Sequence, residues 1–119
     1  MEKRYQGDDI SFSIELETVG NPSITKFSDL DELFVYLYTD KCFIVKYSKK
    51  TRAGYLPLTV ASDTVLVGEL LSADTRRMRD GILYADVMVD KNGKDKTKQE
   101  NTGIYIAKSL IKIEENYGD

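Results

Sequence analysis

The chain of 119 residues contains no histidine, a single cysteine and no apolar run approaching the roughly 18 residues that a membrane-spanning helix needs. Without histidine, the side chain that most readily exchanges protons near neutral pH is missing, and a nucleophile has no ready base. Cys42 lies in an apolar run, where a thiolate is disfavoured and where the expected role is core filling. As a lone cysteine it forms no internal disulfide, which excludes a stapled secreted scaffold and suits a reducing cytosol. The opening MEKRYQGDD is polar and lacks the pattern of a signal peptide. The charges nearly balance, 17 Lys and Arg against 20 Asp and Glu. A net charge of −3 gives no bulk electrostatic reason to expect nucleic acid as a partner.

What is present describes an ordinary globule, with 41% hydrophobic and 31% charged residues. A chain of this length suits one domain spanning 1–119, with its ordered core expected over about 7–113. Residues 10–16 (ISFSIEL) alternate strictly, so Ile10, Phe12, Ile14 and Leu16 share one strand face. Gly20-Asn21-Pro22 is turn chemistry. Residues 33–39 and 42–47, separated by Asp40-Lys41, read as a hairpin. Ser28 is placed to cap one helical turn, and Ser72 or Asp74 to cap another one or two. Residues 49–54 read as a loop, 55–60 as a short strand that Pro57 confines to an edge or an end, and 64–71 as a strand with Gly68 a candidate bulge. Residues 82–90 and 102–113 supply the last strands. The pattern predicts an all-β fold, an antiparallel β-sandwich of about seven strands with one or two short helical turns.

Candidate sites are few. Asp90-Lys-Asn-Gly-Lys-Asp95 carries oxygen ligands, but Gly93 falls at the fourth position and Asn101 at the twelfth, which breaks calcium-loop spacing. Asn92-Gly93 is read instead as a type I′ turn, with residues 91–101 a solvated hairpin end. No metal or cofactor is expected. The carboxylates Asp8-Asp9, Asp29 with Asp31-Glu32, and Glu114-Glu115 are read as solvated charges, because adjacent strand residues point to opposite faces and do not share a cleft. No catalytic residue is assigned.

The segment from Lys41 to Arg52 carries five cations and no acid, together with Phe43 and Tyr47. These are ingredients of a single-strand nucleic-acid groove, yet alternation separates the aromatics from the charges, and a solvated hairpin is the preferred reading. Eight tyrosines are more informative, since tyrosine is common at subunit interfaces and on glycan-binding surfaces. Tyr36 and Tyr38 share one face of their strand, and with Tyr55 and Tyr105 they are the candidate contact residues.

The opening GDDISFSIEL (residues 7–16), the strand GILYADVMV with Gly81, Tyr84 and Val87, and the later TGIYI resemble the N-terminal domain of phage baseplate upper proteins and related tail or fibre adaptor domains. The likeness spans residues 7–113 through short, mostly structural motifs. It implies an immunoglobulin-like sandwich and a non-enzymatic structural protein of a phage particle, assembled in the host cytoplasm. Its expected contacts are with other virion proteins or with copies of itself, and membranes play no part. Members of that family commonly continue into a coiled coil and a receptor-binding tail, whereas this sequence stops at Asp119, which directs the expectation toward an assembly or decoration subunit. The alternative is a small carbohydrate-binding or adhesion module that uses its tyrosines as stacking platforms.

Overall fold

Alternating apolar residues create strands with one wet and one dry face, and the computed structural model arranges them in two sheets around one core. It describes residues 1–16, 25–30, 32–90 and 98–109. The strands are β1 (Glu2–Tyr5), β2 (Ile10–Glu15), β3 (Glu32–Tyr38), β4 (Val45–Ser48), β5 (Leu56–Pro57), β6 (Thr59–Ser62), β7 (Val65–Leu70), β8 (Gly81–Asp90) and β9 (Lys98–Ala107). A 3-10 turn, Phe27–Asp29, precedes β3, and the four-residue α1, Ser72–Thr75, follows β7. The larger sheet runs β1-β9-β8-β3-β4-β5 and the smaller β2-β7-β6. The fold is all-β. The smaller sheet is antiparallel throughout, whereas the larger is mixed, because β1 joins β9 and β5 joins β4 in parallel.

The core lies between the sheets. From the smaller one come Ile10, Phe12, Ile14, Leu66 and Leu70; facing them are Leu33, Val35, Leu37, Val45, Tyr47, Leu83, Ala85, Val87 and Ile106. Tyr47 ties the layers together: its ring meets Phe12 edge-on at 4.9 Å and its hydroxyl donates to the Glu69 carbonyl at 2.7 Å. Gly68 is no bulge. The β2–β7 register passes through Phe12↔Gly68 without a shift, and the irregularity falls on β6 between Val60 and Ser62. Glycine is needed at position 68 because a Cβ there would stand 2.5 Å from Phe12 Cζ.

Residues 55–60 form two strands in different sheets. Pro57 closes β5 at the edge of the larger sheet, Leu58 turns into the core, and β6 continues in the smaller sheet. The residue 42–47 strand is shorter than the sequence suggested, because Asp40 Oδ1 accepts from the Cys42 backbone N–H and holds the chain in a turn until Val45. Cys42 is therefore exposed and fills no core position. Phe43 is half-buried beneath the Arg77 guanidinium, 4.4 Å from its ring centroid.

The helical turns form where expected but without the expected caps. The 3-10 turn is preceded by Lys26, carries no side-chain cap, and is anchored by burial of Phe27 and Leu30. At α1 neither Ser72 nor Asp74 caps; the Ser72 N–H donates to Asp9 Oδ1 at 2.7 Å, from across the chain. Asp8 and Asp9 are accordingly structural acceptors rather than merely solvated charges. Asp8 Oδ2 takes the Tyr5 N–H, and Gly7, at φ +93°, closes the turn with its own N–H on Thr75 Oγ1. The Asn92-Gly93 turn, the Asp90–Asp95 calcium test, the Gly20-Asn21-Pro22 turn and the end of the last strand beyond Ser109 lie outside the described residues, as do Asp31, Glu114 and Glu115.

Candidate interaction face

Alternation along β3 sends Leu33, Val35 and Leu37 into the core and leaves Phe34, Tyr36 and Tyr38 on the outer face of the larger sheet. Antiparallel pairing then sets their neighbours: Met88 and Ser48 flank Phe34, Asp86 and Lys46 flank Tyr36, and Tyr84 lies opposite Tyr38. Two clusters result, one open and one closed.

The open cluster forms where the loop after β4 folds back over β3. The Lys49 N–H donates to the Leu33 carbonyl and its Nζ to the Leu30 carbonyl; a turn from Arg52 to Tyr55 brings the Tyr55 ring over the sheet. Tyr55 stands 5.7 Å from Phe34 and 6.2 Å from Tyr36, and the Tyr36 and Tyr55 hydroxyls are 3.0 Å apart. Two cations border these rings. The Arg52 guanidinium lies 5.0 Å from the Phe34 centroid while pairing with Glu32 Oε1 at 2.6 Å, and Lys46 Nζ lies 5.4 Å from the Tyr36 centroid. The hydrogen bond to Tyr55, aided by burial, pushes the Tyr36 hydroxyl pKa up to about 12.

The closed cluster is a satisfied polar network. Tyr38, only 2% exposed, donates its hydroxyl to buried Asp86 Oδ1 at 2.6 Å and accepts from Gln99 Nε2 at 2.6 Å. Lys41 Nζ bonds Asp86 Oδ2 at 2.9 Å and sits 3.9 Å from the Tyr38 centroid. Its contacts with Tyr38 and Asp86 hold the Lys41 ammonium above the ordinary lysine range. Every partner here is internal, so the network fixes the face and leaves little to offer a ligand.

Of the four tyrosines read from the sequence, the structure brings Tyr36 and Tyr55 into contact. Tyr38 supports the face from within, and Tyr105 lies apart, in register with Ile82 and Lys3. Sequence reasoning missed Phe34, Met88 and Asp86, and read Lys46 and Arg52 only as members of the basic segment, not as neighbours of these rings. Phe34 was readable from the same alternation that gave Tyr36; the others depended on pairing register and on the course of the loop. The basic segment from Lys41 to Arg52 follows an antiparallel hairpin with Lys41, Lys46, Lys50 and Arg52 exposed, as read, while Lys41, Lys46, Lys49 and Arg52 also make the contacts above.

No protein family, curated protein or solved structure compared with this chain matches it. Among the described residues no helix is long and apolar enough to cross a membrane. Nor do three or more His, Cys, Asp or Glu side chains gather there in a group suited to a metal ion.

Proposed function

We propose that this is a non-enzymatic structural protein that assembles through protein–protein contacts, with the outer face around Phe34, Tyr36, Tyr55, Arg52 and Met88 as its seat. The observation that carries the reading is the make-up of that face. Aromatic residues, methionine and arginine are the side chains enriched in interface cores, and here they are contiguous on rigid strands and a tethered loop. The particle is a bacteriophage tail, baseplate or fibre assembly, a reading supported by the resemblance of GDDISFSIEL and GILYADVMV to adaptor domains of that kind. The fold is of the immunoglobulin-like sandwich type. In support, two sheets enclose one core, β2-β7-β6 and β8-β3-β4 are antiparallel, and the parallel strands β1 and β5 are confined to the edges of the larger sheet.

Glycan stacking is less well supported. A sugar platform needs an open ring face, whereas Tyr36 and Tyr55 are half-buried, tilted 44° to one another, and have their hydroxyls within hydrogen-bond distance of each other. Light scattering across a wide concentration range tests the assembly reading. The expected result is a mass that rises to a defined multiple of the monomer and falls back in Tyr55→Asp. A constant monomer mass, together with no retention on immobilised virion proteins, contradicts it.

A further inference from the structure

The two sheets end in four edge strands, and three of these carry features that discourage pairing with another chain. β5 has two residues, one of them Pro57, which has no N–H to give. β6 is irregular between Val60 and Ser62. β1 sets Lys3 beside Arg4. β2 has none of these: its residues ISFSIE hold no proline, lysine or arginine, and its register with β7 runs from Ile10↔Leu70 to Glu15↔Val65 without a shift. The Leu16 N–H donates to the Thr64 carbonyl, so the backbone groups of residues 10, 12, 14 and 16 point toward β7 and those of Ser11, Ser13 and Glu15 point the other way. No strand among the described residues meets them, and Ser11, Phe12, Ser13 and Ile14 border a cleft of about 350 Å³.

We infer that this edge pairs antiparallel with the β2 edge of a second copy, across a two-fold axis at Ser13, and so joins two smaller sheets in the order β6-β7-β2-β2-β7-β6. Self-complementarity selects the occupant. Centred on Ser13, the register sets Ser13 opposite itself and Ser11 opposite Glu15 twice, so the outward N–H and C=O groups of all three residues find partners. A slip of two residues one way sets Glu15 opposite Asp9, whose carbonyl already accepts from Arg4. No like charges stand directly opposite one another. On the core side the same register places Phe12 beside the second copy's Ile14, an aromatic and β-branched pair of the kind that stabilises neighbouring strands. β1 fails this comparison, because the two-fold register that pairs all of its residues sets Lys3 against Arg4 twice. The inference rests on the assembly reading and adds a contact on a different surface, so the Tyr55→Asp chain should fall back to a two-copy unit.

The test uses the fact that Ser13 would face its own counterpart. Ser13 is exposed, so Ser13→Lys and Ser13→Glu leave the core intact while setting like charges opposite each other. In the Tyr55→Asp background each of these chains should pair weakly with itself. An equimolar mixture of the two should form a two-copy species roughly five- to thirtyfold tighter than either alone, and the difference should shrink in salt. Amide hydrogen exchange on the wild-type chain gives a readout free of substitutions. The Ser11, Ser13 and Glu15 amides should become protected only as mass rises with concentration, whereas those of Phe12 and Ile14, bonded to β7, are protected throughout. A monomer at every concentration, exchange at Ser11, Ser13 and Glu15 unchanged as mass rises, or a mixture no tighter than its components overturns the inference. Wild-type mass left unchanged by Tyr55→Asp, with pairing of the mixture intact, overturns the outer-face reading alone.

Discussion

At the scale of single residues, several positions act through what they exclude or satisfy. Gly68 leaves room for the Phe12 ring, which is itself held edge-on against Tyr47. Gly68→Ala should therefore destabilise the fold by about 1–3 kcal/mol in urea unfolding, with part of the loss recovered by Phe12→Leu, because overpacking forces off-rotamer adjustments. Asp9→Ala should cost about 1 kcal/mol, the usual worth of a cap, since it removes the acceptor for Ser72 N–H. Tyr36 and Tyr47 both have raised hydroxyl pKa values, the first mainly by its bond to Tyr55 and the second mainly by burial. A raised folded-state pKa means that the folded protein holds its proton where the unfolded chain releases it. The stability these groups contribute is thus full below about pH 10 and is lost as pH rises, for Tyr36 toward about 12. Lys41 acts in the same direction. Stability followed by circular dichroism should fall over that window, and Tyr36→Phe should flatten the fall; an unchanged slope in that variant contradicts the assignment.

At the scale of elements, β3 combines two roles on opposite faces, and this was legible. The alternation of residues 33–38 already separated Val35 and Leu37 from Tyr36 and Tyr38, just as residues 10–16 announced β2. Pro57 also marked an edge strand before any pairing was known. The failures share a cause. Ser28 and Ser72 looked like local caps, but α1 takes its cap from Asp9, a contact that spacing along the chain does not encode. Cys42 looked like core because its neighbours are apolar, yet the Asp40 side chain turns the backbone and exposes it. β1 was missed because EKRY shows no apolar alternation; it exists because its backbone pairs with β9. The candidate face was half legible for the same reason, with β3 readable and the Arg52–Tyr55 loop dependent on tertiary contacts. Arg52→Ala should weaken assembly by removing the cation over Phe34 and the partner of Glu32, read as a lower mass at a given concentration. The thermal transition should move little, since an exposed ion pair adds at most about 1 kcal/mol.

At the scale of the whole molecule, the two sheets present different outer surfaces. The smaller sheet shows serine, glutamate and threonine on β2 and β6 with Val60 and Ala61 exposed among them, whereas the larger gathers rings and cations beside β3. On the proposed reading the side with the aromatic rings is the one used for contact, and a net charge of −3 leaves self-association only weakly opposed by repulsion. The most direct test of the account is hydroxyl-radical footprinting of the wild-type chain at low and high concentration, with mass followed in parallel. As mass rises, oxidation of Phe34, Tyr55 and Met88 is predicted to fall, while Tyr47, already enclosed between the sheets, stays constant. A rise in mass with labelling of Phe34, Tyr55 and Met88 unchanged would contradict the claim that this face is the seat of assembly.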